Sequence, residues 1–204
     1  MTKNYFITGI GTGIGKTVVS AILTEKLKAD YWKPIQSGDL ENSDSLSIEK
    51  MISNGTTKIH PERYRLSQPL SPHLSAKLDQ IEIDLATFQL PQSDNDLIVE
   101  GAGGLMVPLN DRHLIIDLIK KLDLEVIIVS QNYLGSINHT LLTIDVLKRN
   151  NIKIKGIIFN GGANIESENY ILNYTNIICL GKVPSLEEIT PETIANAGYN
   201  LIGL

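Results

Sequence analysis

Cysteine is nearly absent from this chain of 204 residues: Cys179 stands alone, so no disulfide framework can form within one copy. Its place in the apolar run Ile177-Ile178-Cys179-Leu180 reads as a small core residue. Clustered positive charge is missing as well. The 18 Lys and Arg are scattered against 23 Asp and Glu for a net charge of −5, which removes the electrostatic footprint of a nucleic-acid binder. No run approaches the roughly 18 uninterrupted apolar residues of a membrane span. The short apolar run after Met1-Thr2-Lys3-Asn4 breaks at Gly9, too soon for a signal peptide, so a cytoplasmic protein without membrane or nucleic-acid partners is expected. Internal repeats, low-complexity tracts and a Ser-His-Asp constellation are lacking too.

What is present is ordinary for a globular protein, with 42% apolar and 20% charged residues. The length favours one domain over residues 1–204. Short runs that are apolar throughout read as strands buried on both faces of a parallel sheet: Tyr5 to Thr8, Tyr31 to Lys33, Leu97 to Glu100, Val126 to Ser130, Gly156 to Asn160 and Ile177 to Leu180. Lys16 to Lys28 and Ile137 to Asn150 read as helices, the second with an apolar face of Ile137, Leu141, Ile144, Val146 and Leu147. Alternation of strands and helices predicts a doubly wound α/β fold, a mostly parallel sheet with helices on both faces. The stretch from Gln36 to Pro91 is polar and proline-bearing, with only a short helical candidate at Asp44 to Ile52, and reads as an elaborated crossover.

The segment Gly9-Ile10-Gly11-Thr12-Gly13-Ile14-Gly15-Lys16-Thr17 follows an apolar strand and opens a helix, the context of a phosphate loop. Glycines let successive N–H groups turn inward around phosphates, and the helix amino end adds its dipole. Lys16 supplies a mobile positive charge, and the Thr17 hydroxyl can ligate Mg2+. The spacing is unusual. The general pattern puts four residues between its first glycine and Gly-Lys-Thr, a position held here by Ile10, and Gly9 makes the spacing five.

Phosphoryl transfer needs carboxylates at the carboxyl ends of strands beside such a loop. Glu100 ends an apolar run and precedes the flexible Gly101-Ala102-Gly103-Gly104. Asp44, in Asn42-Ser43-Asp44, reads equally as part of a helix cap. Lys33, in Trp32-Lys33-Pro34, lies at the sheet edge where α/β proteins bind ligands, although a lysine taken alone there reads as a solvated surface residue. Ser37 and Gly38 follow in a turn that could contact the same ligand.

In combination, these segments resemble the dethiobiotin synthase family. The resemblance rests on the five-residue phosphate-loop spacing, Lys33-Pro34-Ile35-Gln36-Ser37-Gly38, Asn42 to Asp44, Ser71-Pro72-His73, Val99 to Gly104, and Leu134-Gly135-Ser136-Ile137-Asn138-His139. It implies an ATP-dependent ligase that carboxylates 7,8-diaminononanoate with CO2, phosphorylates the carbamate and closes a ureido ring. It also implies that Lys16 and Lys33 contact the γ phosphate and the carbamate, and that Thr17, Asp44 and Glu100 surround Mg2+. Gly13, Ile14, Gly15 and Val18, with Gly101, Ala102 and Gly103, would flank the nucleotide, and Thr12 and Ser37 would touch the substrate. The substrate's carboxylate tail would meet Gly135, Ser136, Ile137 and Asn138 of a partner subunit, which implies a homodimer and a structural His139. For the base, the resemblance points to Asn160 and Gly161, to Pro184, Ser185 and Leu186, and to Glu192. Gly161 stands where the family carries an aspartate. A nucleotide switch protein and an amidoligase share the phosphate loop. Gly11, where partition ATPases carry a lysine, counts against the first, and the lack of room for a glutaminase domain counts against the second.

Overall fold

The computed structural model describes residues 2–204. Its elements follow in the order β1 (Asn4–Gly9), α1 (Lys16–Leu27), β2 (Asp30–Trp32), β3 (Ile35–Ser37), α2 (Asp44–Met51), β4 (Ile59–His60), β5 (Tyr64–Leu66) and α3 (Pro72–Leu78). They continue with β6 (Leu97–Gly104), α4 (Ile115–Leu122), β7 (Glu125–Gln131), α5 (Ser136–Arg149), β8 (Ile154–Asn160), α6 (Ile165–Thr175), β9 (Cys179–Val183) and α7 (Pro191–Gly198). One seven-stranded sheet has the order β4-β2-β6-β1-β7-β8-β9, and each neighbouring pair runs parallel. β3 and β5 form a separate two-stranded parallel pair within the crossover.

The sheet explains why its central strands read as unbroken apolar runs. Phe6, Ile7, Ile98, Val99, Ile127 and Ile128 are fully buried, so both faces of these strands are covered. Strand order and the right-handed crossover rule distribute the helices. From β1 the chain steps through α1 toward β2 and the β4 edge. After β6 it steps the other way, through α4, α5 and α6 toward the β9 edge. The reversal puts α1 and α4 on opposite faces, the doubly wound arrangement expected from sequence. α4 is the clearest amphipathic helix, burying Ile115, Ile116, Leu118, Ile119 and Leu122, while its Asp117 carboxylate accepts from the Leu114 amide at 2.9 Å.

Most element ends differ from the expected ones by one or two residues, and three differences matter for the site or the sheet edge. β6 does not stop at Glu100 but runs on to Gly104, because Gly104 pairs with Gly9 past a bulge in β6 between Glu100 and Gly104. β2 stops at Trp32, one residue before Lys33. The last strand is Cys179–Val183 and not Ile177 to Leu180. Ile178 is 66% exposed, and the pairing with β8 runs from Cys179 to Val183. Among the described residues no helix is long and apolar enough to cross a membrane.

Candidate active site

The carboxyl ends of β1, β6 and β2 lie side by side, because β6 inserts between β1 and β2. β1 runs into the phosphate loop and α1. Its conformation depends on Gly15, whose φ of 83° and whose position against Asn160 leave no room for a side chain: an added Cβ would lie 2.1 Å from Asn160 Nδ2. Asn160, from the end of β8, donates from Nδ2 to the Ile14 carbonyl at 2.9 Å and so latches the loop to the sheet. Ile14 itself is buried, while the amides of Lys16, Thr17 and Val18 open α1 where a helix leaves its N–H groups without helical acceptors.

Residues from three segments gather around Glu100, which is 1% exposed. Its Oε1 lies 3.0 Å from Thr17 Oγ1 and 3.1 Å from Lys33 Nζ, and its Oε2 accepts from the Tyr31 hydroxyl at 3.0 Å. Asp44 completes the group: its Oδ1 is 3.0 Å from Thr17 Oγ1 and its Oδ2 is 2.5 Å from Lys33 Nζ. The single proton of Thr17 can serve only one carboxylate at a time, so two negative charges face one hydroxyl and one ammonium. Lys33 is 5% exposed, which overturns the solvated reading that its sequence neighbourhood alone suggested. Ser43 caps α2 through the Leu46 amide, so Asp44 is free of the capping role and turns into the site.

The charges shift one another. Burial works against the Lys33 ammonium, but Glu100 and Asp44 outweigh it and hold its pKa above the ordinary lysine value. Burial likewise works against the Asp44 carboxylate, and Lys33 with the Thr17 hydrogen bond outweighs it, holding Asp44 below the ordinary aspartate value. Lys16 is displaced downward: burial dominates, Glu100 opposes it and the charge of Lys33 adds to it. The Lys16 ammonium rests on the Gly11 carbonyl at 3.1 Å, folded back along its own loop.

A cleft of about 800 Å3 opens over this group. Thr12, Gly13, Gly15, Lys16 and Thr17 form its floor, and Ala102 and Gly103 carry one wall forward from Glu100. Ser37 and the segment Pro69 to Pro72 form the other wall. The expected base residues lie outside this cleft but together: the Gly161 amide donates to the Val183 carbonyl at 2.8 Å, which sets Asn160 and Gly161 beside Pro184, Ser185 and Leu186. Glu192 is exposed in the first turn of α7 and makes no side-chain hydrogen bond or ion pair with the described residues. Gly135, Ser136, Ile137 and Asn138 at the start of α5 are also absent from the cleft lining. α5 instead borders a groove of about 370 Å3 that includes His139 and Leu142 and meets the cleft at Thr12 and Val107.

Tyr31 escaped the sequence reading. Its signal was available, because Tyr31 and Lys33 are two positions apart on one extended segment and so face the same way. Glu168 escaped it too: 1% exposed, it accepts from Asn132 Nδ2 at 2.7 Å and from the Asn164 amide at 3.0 Å, and it pairs with Lys182. These contacts tie the ends of β7, β8 and β9 around Gly161.

Comparison with known proteins follows the same segments. A family model described as an AAA domain matches residues 3–193. An ATP-dependent dethiobiotin synthetase from Cytophaga hutchinsonii is 55% identical over 193 residues, covering 94% of this chain and 93% of its own. The same-named protein of Christiangramia forsetii is 52% identical, covering 90% of this chain and 88% of its own, and that of Agrobacterium fabrum is 43% identical, covering 97% and 93%. Among solved structures, the septum site-determining protein MinD with Mg-ADP from Pyrococcus horikoshii superposes with a TM-score of 0.61 at 16% identity, covering 97% of this chain and 86% of that one. A ParA family ATPase from Chlorobium tepidum gives 0.55 at 15% identity, covering 98% and 100%. At such identities these two share the fold alone.

Proposed function

The chain belongs to the ATP-dependent dethiobiotin synthetase family, ATP-dependent ligases of biotin biosynthesis, and from that premise we propose how its residues divide the work. The substrate is 7,8-diaminononanoate, one of whose amines takes up CO2 as a carbamate. The carbamate oxygen attacks the γ phosphate of ATP, releasing ADP. The second amine, deprotonated to its free base, then attacks the carbon of the mixed anhydride, forming the ring's C–N bond as the C–O bond to phosphate breaks, and the proton that the nitrogen sheds leaves with the phosphate.

One observation carries this reading: Lys16, Thr17, Lys33, Asp44 and Glu100, drawn from distant parts of the chain, line one cleft at the sheet's carboxyl edge. The phosphate loop and the first amides of α1 bind the triphosphate, with Gly13, Ile14, Gly15 and Val18 contributing backbone. Lys16 swings from its resting place on Gly11 to the γ phosphate. Lys33 holds the carbamate against it, so that the two anions approach with their repulsion screened.

The Thr17 hydroxyl and the Asp44 and Glu100 carboxylates are hard oxygen donors within 3.0 Å of one another through Thr17, a set that suits Mg2+ with phosphate oxygens completing its shell. When bound, Mg2+ would neutralise charge on the β and γ phosphates. Lys33 shares Glu100 Oε1 with Thr17 and takes the other oxygen of Asp44, so Mg2+ held by these residues would compete with the ammonium for the same two carboxylates and leave Lys33 freer to pair with the carbamate.

Gly101, Ala102 and Gly103 bring backbone close to the nucleotide. Asn160, Gly161, Pro184, Ser185, Leu186 and Glu192 surround the base, and Thr12 and Ser37 touch the diamine. A second copy supplies the amino end of α5, Gly135 to Asn138, for the substrate's carboxylate. The groove beside α5 supports this homodimer, since Met106 and Leu142, which line it, are 60% and 54% exposed. The single domain works in the cytoplasm.

Incubation of the purified protein with MgATP, bicarbonate and 7,8-diaminononanoate should yield dethiobiotin by mass spectrometry. Nucleotide hydrolysis indifferent to the diamine would sink the reading.

A further inference from the structure

Five ionisable side chains line the cleft: Lys16, Lys33, Asp39, Asp44 and Glu100. Four are already engaged. Lys33 joins Asp44 and Glu100, and Lys16 lies on the Gly11 carbonyl. Asp39 alone has no side-chain hydrogen bond or ion pair to any described residue, and it stands exposed on the wall that also carries Ser37.

The loop that carries Asp39 is built firmly. Gly38 lies so close to Pro69 that an added Cβ would be 2.5 Å from its backbone, and the Gly38 amide donates to the Leu66 carbonyl at 2.8 Å. Gln36 Nε2 donates to the Gly38 carbonyl at 2.9 Å, the Asn42 amide to the Asp39 carbonyl at 2.9 Å, and Arg65 Nη2 to the Leu40 carbonyl at 3.2 Å. Asp39 itself takes a left-handed backbone with φ 50°, a conformation that aspartate tolerates better than most residues. A carboxylate held on so constrained a turn, facing a cleft and left unneutralised, is prearranged for a cation.

Resting on the proposed function, the substrate supplies that cation. A vicinal diamine with CO2 on one nitrogen keeps the other as an ammonium ion, and Lys16 and Lys33 repel it from the phosphate end. We infer that Asp39 is the counter-charge for the uncarboxylated ammonium of the diamine, a specificity residue that orients the ring-closing nitrogen and rejects substrates without it.

The test compares wild-type protein with Asp39→Asn and Asp39→Glu. In Asp39→Asn the KM for 7,8-diaminononanoate should rise about ten- to a hundredfold, the range for losing a charge-assisted hydrogen bond, while the KM for ATP stays within about twofold. Asp39→Glu should recover part of the loss. Nonanoate, which lacks both amines, should inhibit wild type and Asp39→Asn equally, whereas a merely structural role would weaken both ligands together. An unchanged diamine KM in Asp39→Asn, or an equal loss for nonanoate, overturns the assignment. Calorimetric titration of the diamine reads the same difference without turnover. A wild-type protein that makes no dethiobiotin therefore sinks the proposed function, while an active wild type with an unaffected variant sinks only the role of Asp39.

Discussion

Removing one oxygen atom from Tyr31 tests how the Glu100 cluster is held. Tyr31 is fully buried and its hydroxyl is 3.0 Å from Glu100 Oε2. Thr17 and Lys33 both address the other oxygen, so Tyr31→Phe leaves Oε2 without a protein donor inside the fold. A hydrogen bond to a charged acceptor contributes about 1.5–3 kcal/mol, and an unsatisfied buried oxygen puts this site toward the upper end, about 2–3 kcal/mol. With a urea slope of about 2 kcal/mol/M, the midpoint should fall by about 1 M. Trp32, the chain's one tryptophan, is 4% exposed with Nε1 bonded to the Pro61 carbonyl at 3.1 Å, and its fluorescence reports the unfolding. Tyr199→Phe is the control, since Tyr199 is 81% exposed and its hydroxyl has no partner among the described residues, and it should stay within about 0.5 kcal/mol of wild type. A Tyr31→Phe midpoint indistinguishable from that control would refute the reasoning. The loosened Glu100 should also raise the Mg2+ concentration needed for half-maximal turnover.

Lys33→Ala should lower kcat at least about a hundredfold, the scale for removing a positioned charge from a reaction centre, with the far-UV circular dichroism retained; full activity would remove Lys33 from the catalytic set. At the opposite end of β2, burial alone would raise the pKa of Asp30, but donation from Asn95, Ser93, the Lys58 amide and His60 holds it below the ordinary aspartate value. A depressed folded pKa gives stability that is complete above the unfolded value of about 3.9 and is lost as pH falls through the lower folded value. Asp30→Asn should therefore be less stable at pH 7 and flatter below about pH 4, and urea midpoints that fall as steeply as wild type would contradict this. Leu142→Asp, on the groove beside α5, should shift the protein from dimer to monomer in analytical ultracentrifugation and reduce turnover with it. A monomeric wild type would remove that face from the site.

Much of the site was legible because its chemistry is local. Gly15, Lys16 and Thr17 close a short glycine-rich loop after one apolar strand, and Glu100 comes straight after the apolar run of another. Position alone misled at Lys33: no sequence window shows that Asp44 and Glu100 close around it, so an ammonium among carboxylates looked like one among waters. Tyr31 was hidden for a related reason, since an aromatic residue in an apolar strand signals packing, and only the neighbouring strand reveals what its hydroxyl meets. Within the crossover, β3, β4 and β5 are two or three residues long, too short for a period to show. The last strand was misplaced because apolar character marked Ile177 and Ile178, whereas pairing with Ile157 to Asn160 selects Cys179 to Val183.

The place of β6 between β1 and β2 imposes an order of events during synthesis. Thr17, Tyr31, Lys33 and Asp44 are all translated before Glu100, yet the first three bond to it and Asp44 shares Lys33 with it. A nascent chain that has emerged only through the crossover exposes a phosphate loop beside a gap in the sheet, with the Lys33 ammonium lacking half of its counter-charge. Entry of the Leu97–Gly104 strand then fills the gap and completes the counter-charge of the ammonium, while the Asn160 latch on the phosphate loop waits for β8, so the nucleotide site is braced in two stages as the chain emerges.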